Sequence, residues 1–232
     1  MVKIKALLSY FSKTEITLWV ASVSLITISF FLFDRSNFLA FAATLVGVTS
    51  IIFNAKGNPV GQALTVVFSI MYGIESYTCA YYGEMITYLG MTMPMAIMAL
   101  IAWLKNPCKD NKAEVKVNKL KCAEIFFMAL LTVVVTIAFY FILRYFHTAN
   151  LLLSTLSVAT SFIAVYFTFR RSPYFSLAYA ANDCVLIGLW ISATLTDISY
   201  LSVTVCFAVF LVNDIYAFIN WMKMRKRQQG SS

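Results

Sequence analysis

The sequence predicts an all-α integral membrane protein of about eight transmembrane helices. Three observations carry this: 61% of the 232 residues are hydrophobic and only 12% charged, the apolar residues gather in runs of membrane-spanning length, and Lys and Arg fall almost entirely in alternate loops. A soluble domain is nearer half apolar and a quarter charged. A helix rising ~1.5 Å per residue needs about 20 apolar residues to cross ~30 Å of hydrocarbon.

Taken in order, the runs fall at 16–33, 37–54, 60–82, 85–104, 122–146, 150–169, 173–195 and 198–221. Most connections are short. The exception is 105–121, a polar and basic stretch that divides the chain. Loop parity places sixteen Lys and Arg (Lys3, Lys5, Lys13, Lys56, the cluster from Lys105 to Lys121, Arg170, Arg171 and the tail from Lys223 to Arg227) on one side. The other side holds Arg35 and Arg144, together with Asp34, Glu84 and Asp197. By the positive-inside rule both termini are expected in the cytoplasm, which requires an even number of spans. The 105–121 loop then needs no role beyond setting topology and meeting anionic lipid heads. The first apolar run is membrane-length and lacks a small-residue cleavage site, so no cleavable signal peptide is expected.

The net charge of +8 does not indicate a nucleic-acid partner, because the charge clusters in loops and does not stripe a face. The five cysteines (79, 108, 122, 184 and 206) lack metal-ligand spacing and read as small apolar filler. No metal, cofactor or catalytic constellation is expected. His147 stands alone near the end of helix 5, and no Gly-rich phosphate loop or matched reactive pair is present, so the chain reads as not an enzyme.

The two halves resemble each other. Ala99-Leu100-Ile101-Ala102-Trp103-Leu104-Lys105 matches Ala217-Phe218-Ile219-Asn220-Trp221-Met222-Lys223 at an offset of 118, with four positions identical. Gly57-Asn58-Pro59 aligns with Arg171-Ser172-Pro173 at an offset of 114, and Asn37 with Asn150 at 113. Helices 2–4 therefore repeat as helices 6–8. The equivalents are four apart, so the repeat is parallel, helix 5 is a linker, and helix 1 stands outside it. The expected units are 1–35 (extra helix), 36–105 (first repeat), 106–147 (basic loop and linker), 148–224 (second repeat) and 225–232 (basic tail, its end read as an expression remnant). Such repeats signal transport, with a substrate site near mid-membrane between the halves. A duplicated scaffold without transport is the plainer alternative.

Candidate binding residues are the acids, amides and aromatics inside helices. Glu75, Asp183 and Asp214 sit deep in helices 3, 7 and 8. Each costs about 2.5–3.5 kcal/mol at mid-membrane unless it is satisfied there. An interhelical hydrogen bond, protonation, or a water-filled cavity with its ligand would each satisfy them. Glu124, at the start of helix 5, suits the helix dipole and reads as structural. Helical spacing places Tyr179, Asn182, Asp183 and Trp190 near one face of helix 7. Asn213, Tyr216 and Asn220 share a face of helix 8, and Tyr72, Glu75 and Cys79 one of helix 3, with Gln62 and Ser69 further along. This mixture suits a small ligand with a flat ring and several hydroxyls.

Several stretches resemble the PnuC family of vitamin transporters. They are Phe169-Arg170-Arg171-Ser172-Pro173-Tyr174 running into Ala178-Tyr179-Ala180-Ala181-Asn182-Asp183, Tyr88-Leu89-Gly90-Met91-Thr92-Met93-Pro94-Met95 ahead of Trp103-Leu104-Lys105-Asn106-Pro107, and Asn213-Asp214-Ile215-Tyr216 with Asn220-Trp221. The resemblance implies a SWEET-like 3+1+3 fold in the bacterial inner membrane. It implies import of nicotinamide riboside by facilitated diffusion, trapping by a cytoplasmic kinase, and a homo-oligomer, a trimer. Glu75, Asn182 and Asn213 are the first expected contacts, with Asn182 and Asn213 at matching family positions. Glu75, Asp183 or Asp214 would favour the pyridinium cation. The sequence departs from some members at Ala96, where they carry Asn, and at Ala178, where they carry Trp. A related vitamin or nucleoside (thiamine, riboflavin, a deoxynucleoside) and proton-coupled uptake therefore stay open as alternatives.

Overall fold

The structure, a computed structural model, describes residues 10–78, 82–109, 111–148 and 150–230. Eight helical segments follow one another: α1 (Lys13–Phe33), α2 (Phe38–Ala55), α3 (Pro59–Thr78), α4 (Tyr82–Leu104), α5 (Cys122–Tyr145), α6 (Leu151–Phe169), α7 (Phe175–Thr194) and α8 (Leu201–Gly230). All but α3 are long and apolar enough by composition to cross a membrane. Gln62, Thr65, Ser69, Glu75 and Ser76 dilute the apolarity of α3. Four of these five are buried, so its polarity is turned into the protein. Large apolar side chains are exposed instead, among them Phe126, Phe127, Leu130, Val134 and Phe141 along α5. A face like that is stable against lipid and not against water. The chain is a multi-pass membrane protein.

Local chemistry fixes the helix ends. Ser12 and Glu15 form a reciprocal capping box at the start of α1, with Ser12 N donating to Glu15 Oε2 at 2.7 Å and Glu15 N to Ser12 Oγ at 3.2 Å. Asn37 Oδ1 accepts from Ala40 N at 3.0 Å at the start of α2. Within α4 the backbone widens to a π-turn over Tyr88–Thr92, immediately before Pro94. Proline has no N–H to bond back and its ring crowds the carbonyl four residues earlier, so the wider turn accommodates it.

The repeat is visible in hydrogen bonds as well as in sequence. Helices α2 and α6 both end in a residue with positive φ, Gly57 at 66° and Arg171 at 56°, followed by Pro59 and Pro173. The N–H groups of Asn58 and Ser172 then return to Phe53 O (3.1 Å) and Phe167 O (2.9 Å). The last helix of each half packs on the first helix of the other, α4 on α6 and α8 on α2. The matched tryptophans seal this exchange: Trp103 Nε1 donates to Thr168 O at 2.9 Å, and Trp221 Nε1 to Asn54 O at 2.7 Å.

Helix α1 is more than an addition to the repeat. It packs on α2 and α8 as α5 packs on α6 and α4. Glu15 and Glu124 each stand third in their helix. Glu15 pairs with Lys56 at 3.1 Å, and Glu124 with Arg170 through both guanidinium edges. Lys56 and Arg170 are themselves equivalent, each preceding a positive-φ residue. The two halves are thus four-helix units, α1–α4 and α5–α8.

The face carrying the start of α1, the end of α8 and the 105–121 loop is called the terminal face here, and its opposite the far face. That loop does not lie out toward lipid as expected. Val115 is wholly buried in a cluster with Trp103, Phe175, Trp221 and Met224. Val115 N donates to Gly57 O at 2.9 Å, and Asn118 N donates to Arg171 O at 3.0 Å. The basic tail is also engaged, as the continuation of α8. Arg227 pairs with Glu114, and Gln228 exchanges hydrogen bonds with Val117 N (2.9 Å) and Val115 O (3.1 Å). Burial, and then the adjacent Arg170 charge, pull the Arg171 guanidinium below its ordinary value.

Candidate functional site

A cavity lies between the two halves. Its floor is Asn54 and Phe175, directly above the Trp103–Trp221 seal, and its upper wall reaches Gly83, Leu143 and Thr148 toward the far face. The first half contributes Gly47, Ser50, Thr65, Phe68, Glu84, Tyr88 and Thr92. The second contributes Ser157, Ser161, Tyr179, Asn182, Asp183, Phe207, Phe210 and Asp214. Among the described residues the lining holds three carboxyl groups and no Lys, Arg or His.

Four of the eleven candidate residues meet here: Tyr179, Asn182, Asp183 and Asp214. Asn182 Oδ1 accepts from Thr160 Oγ1 (2.8 Å) and Ser161 Oγ (3.0 Å). Both lone pairs of that oxygen are used, which leaves the amide N–H donors for a ligand. Asp183 and Asp214 are 4% and 5% exposed, and their carboxyl groups lie within hydrogen-bond reach of each other. Asp183 Oδ2 receives no hydrogen bond from a protein N–H or O–H among the described residues. A carboxylate can only accept, so this contact needs a proton between the pair, or a ligand that supplies a donor or a positive charge.

The structure does not bring the other seven to the cavity wall. Glu75 accepts a hydrogen bond from Asn37 Nδ2 and ties α3 to the start of α2. Tyr72 stands behind the wall and donates to Glu84 Oε2 at 3.1 Å. Gln62 Nε2 donates to Asn54 Oδ1 at 2.8 Å, beneath the floor. Trp190 packs in the apolar cluster with Leu189, Phe207 and Phe210, its ring 5.5 Å from that of Tyr200. Asn213 turns the other way, its Nδ2 donating to Ser22 Oγ of α1 (2.9 Å) and to Val209 O (2.7 Å). Tyr216 Oη donates to Glu15 Oε1 at 3.2 Å, and Asn220 Nδ2 to Ala55 O at 2.7 Å. In the six other than Trp190 the polar group has taken a protein partner outside its own helix. Cys79 lies outside the described residues.

Sequence reasoning missed Glu84. Loop parity places it in a far-side connection, but it stands in the first turn of α4 and lines the cavity. The polar stretch Tyr81-Tyr82-Gly83-Glu84 interrupts the apolar run and so resembles a connection. The signal was the spacing of Glu84 and Tyr88, four apart on one face. The repeat offsets would also have found the aromatic wall. Phe68 is the equivalent of Asn182, Thr65 of Tyr179 and Thr92 of Phe210, and all six line the cavity. Each equivalent pair sets an aromatic ring against a polar side chain.

Residues 37–223 match the profile of the family described as "Nicotinamide mononucleotide transporter". The chain belongs to this family. It is 26% identical over 205 residues to the nicotinamide riboside transporter PnuC of Neisseria mucosa, covering 86% of this chain and 78% of that one. Its fold is that of the vitamin B3 transporter PnuC seen by crystallography, with a TM-score of 0.80, 22% identity and 94% of each chain covered. The nicotinamide mononucleotide transporter family is one of transporters and not of enzymes. The family match spans α2 to α8, both walls of the cavity and the 105–121 loop.

Proposed function

We propose that this protein imports nicotinamide riboside across the inner membrane by facilitated diffusion, and that a cytoplasmic kinase traps the product by phosphorylation. The observation that carries the reading is the lining of the cavity: three carboxyl groups, aromatic rings and an amide, with no basic side chain. The riboside carries a fixed pyridinium charge, a ribose diol and a carboxamide, and each has a complementary group there. A phosphomonoester has none, and desolvating its two negative charges against carboxylates is strongly unfavourable. The cavity thus favours the riboside over the mononucleotide. The relative in Neisseria mucosa, named as a riboside transporter, supports the same choice.

In this reading the terminal face is cytoplasmic, since it gathers fourteen of the sixteen Lys and Arg among the described residues. The Asp183–Asp214 contact favours a second reading, uptake coupled to a proton held by that pair. The homotrimer implied by the family resemblance is kept as part of the proposal, and the mass of the purified protein in detergent tests it.

The deciding experiment is uptake of labelled riboside into proteoliposomes that contain no kinase. Equilibration without accumulation, unaffected by an uncoupler and uncompeted by mononucleotide, is the expected result. Uncoupler-sensitive accumulation would replace facilitated diffusion by proton coupling. Competition by thiamine, riboflavin or a deoxynucleoside in place of the riboside would reassign the substrate.

A further inference from the structure

We infer that Glu84 is the residue that selects a cationic ring, and that the ligand lies with its ring against the first half and its ribose against the second. The inference rests on the proposed riboside substrate and adds an orientation and a specificity residue to it.

The argument starts from the rings around Glu84. Tyr72 and Tyr88 lie 4.5 Å apart between centroids. Phe68 lies 5.6 Å from Tyr72, edge-on to Tyr88 at 5.8 Å and edge-on to Phe210 at 6.1 Å. Phe68, Tyr88 and Phe210 line the cavity, and Glu84 lines it one helical turn from Tyr88. Aromatic faces beside a carboxylate form the arrangement that binds a delocalised organic cation. Tyr72 Oη donates to Glu84 Oε2 at 3.1 Å, which fixes the carboxylate at the cavity wall.

The opposite wall is built differently. Asn182 offers N–H donors there, and Asp183 and Asp214 offer acceptor oxygens, one of them without a donor among the described residues. Paired acceptors beside an amide suit a vicinal diol, which gives two O–H groups and accepts at the same oxygens. The halves are related by repeat, yet Phe68 on one wall replaces Asn182 on the other. An asymmetric ligand therefore has one favourable orientation.

The test is calorimetric binding of two ligands that share the ribose and differ in ring charge: nicotinamide riboside and its 1,4-dihydro form, whose ring is neutral. Glu84→Gln is expected to weaken the riboside about tenfold, the size of one partly screened charge pair, and to leave the dihydro form within about twofold. Glu84→Asp should restore part of the preference, and Tyr72→Phe, which keeps the charge, should retain it. Asp183→Asn should weaken both ligands alike. Equal affinities for both forms in wild type and Glu84→Gln, or an equal loss for both in the variant, would overturn the assignment of Glu84. Failure of wild-type protein to bind either form would instead overturn the substrate reading beneath it.

Discussion

Replacing Trp221 by Phe removes one end of the seal between the halves, and the cost can be worked from its surroundings. The indole is wholly buried, donates to Asn54 O at 2.7 Å, and packs against Phe175 and Trp103 with centroids 4.9 and 5.4 Å away. Phenylalanine leaves the Asn54 carbonyl without that donor, at about 1–3 kcal/mol for a buried acceptor. The smaller ring also opens a gap, at about 1 kcal/mol if it is methyl-sized. The sum, about 2–4 kcal/mol, corresponds to a fall in Tm of roughly 5–15 °C for a chain of this size. Tryptophan fluorescence during thermal unfolding in detergent reads it, since three indoles remain of the original four. Trp103→Phe should show the same loss, because Trp103 donates to Thr168 O at 2.9 Å in the equivalent place. Trp19→Phe is the control: that indole is 39% exposed and bonds only a threonine hydroxyl, so its change should stay below about 1 kcal/mol. If Trp221→Phe moved Tm no more than the Trp19 variant, or if Trp103→Phe were neutral, the two-sided seal would be wrong.

Three further outcomes are expected. Gly57→Ala should destabilise by about 1–2 kcal/mol because its φ of 66° is left-handed, whereas Arg171→Gly, relieving the same strain at 56°, should raise Tm slightly. Glu15→Gln should cost more than Glu124→Gln, about 2–3 against at most about 1 kcal/mol, since Glu15 is 3% and Glu124 19% exposed in their ion pairs; thermal shifts of the two variants decide this. Gly47→Ala should abolish measurable ligand binding in calorimetry, because its Cβ would meet Phe210 Cζ at 2.7 Å and Phe68 at 3.2 Å and push both rings into the cavity.

The helices, the linker and the parallel repeat could be read from the sequence because hydropathy and matched motifs depend on residues in series. Trp103 and Trp221, and the turns at Gly57 and Arg171, kept their identity or their proline because the backbone geometry at those points is demanding. The equivalence of α1 and α5 was hidden. Only the placing of Glu15 and Glu124 survives between them, and lipid-facing helices accept any large apolar side chain. The site was half legible. Helical spacing put Asn182 and Asp183 on the cavity side correctly, but spacing gives a face and not a neighbour. Asn213 and Asp214 are adjacent in sequence, and α8 presents one to Ser22 and the other to the cavity. Glu75 had the same composition of surroundings as a ligand residue, and only the structure shows Asn37 in front of it.

The loop that joins the halves also measures the distance between them. Val115 and Asn118 hold the twin turns through Gly57 O and Arg171 O, and they stand three backbone steps apart. An extended chain covers at most about 3.5 Å per residue, so this leash spans about 10 Å when taut. Any motion that draws the two turns further apart than its slack must first detach one end. Detachment at the Gly57 end would also draw buried Val115 out from beneath Trp103 and Trp221, so the leash and the seal release as one event.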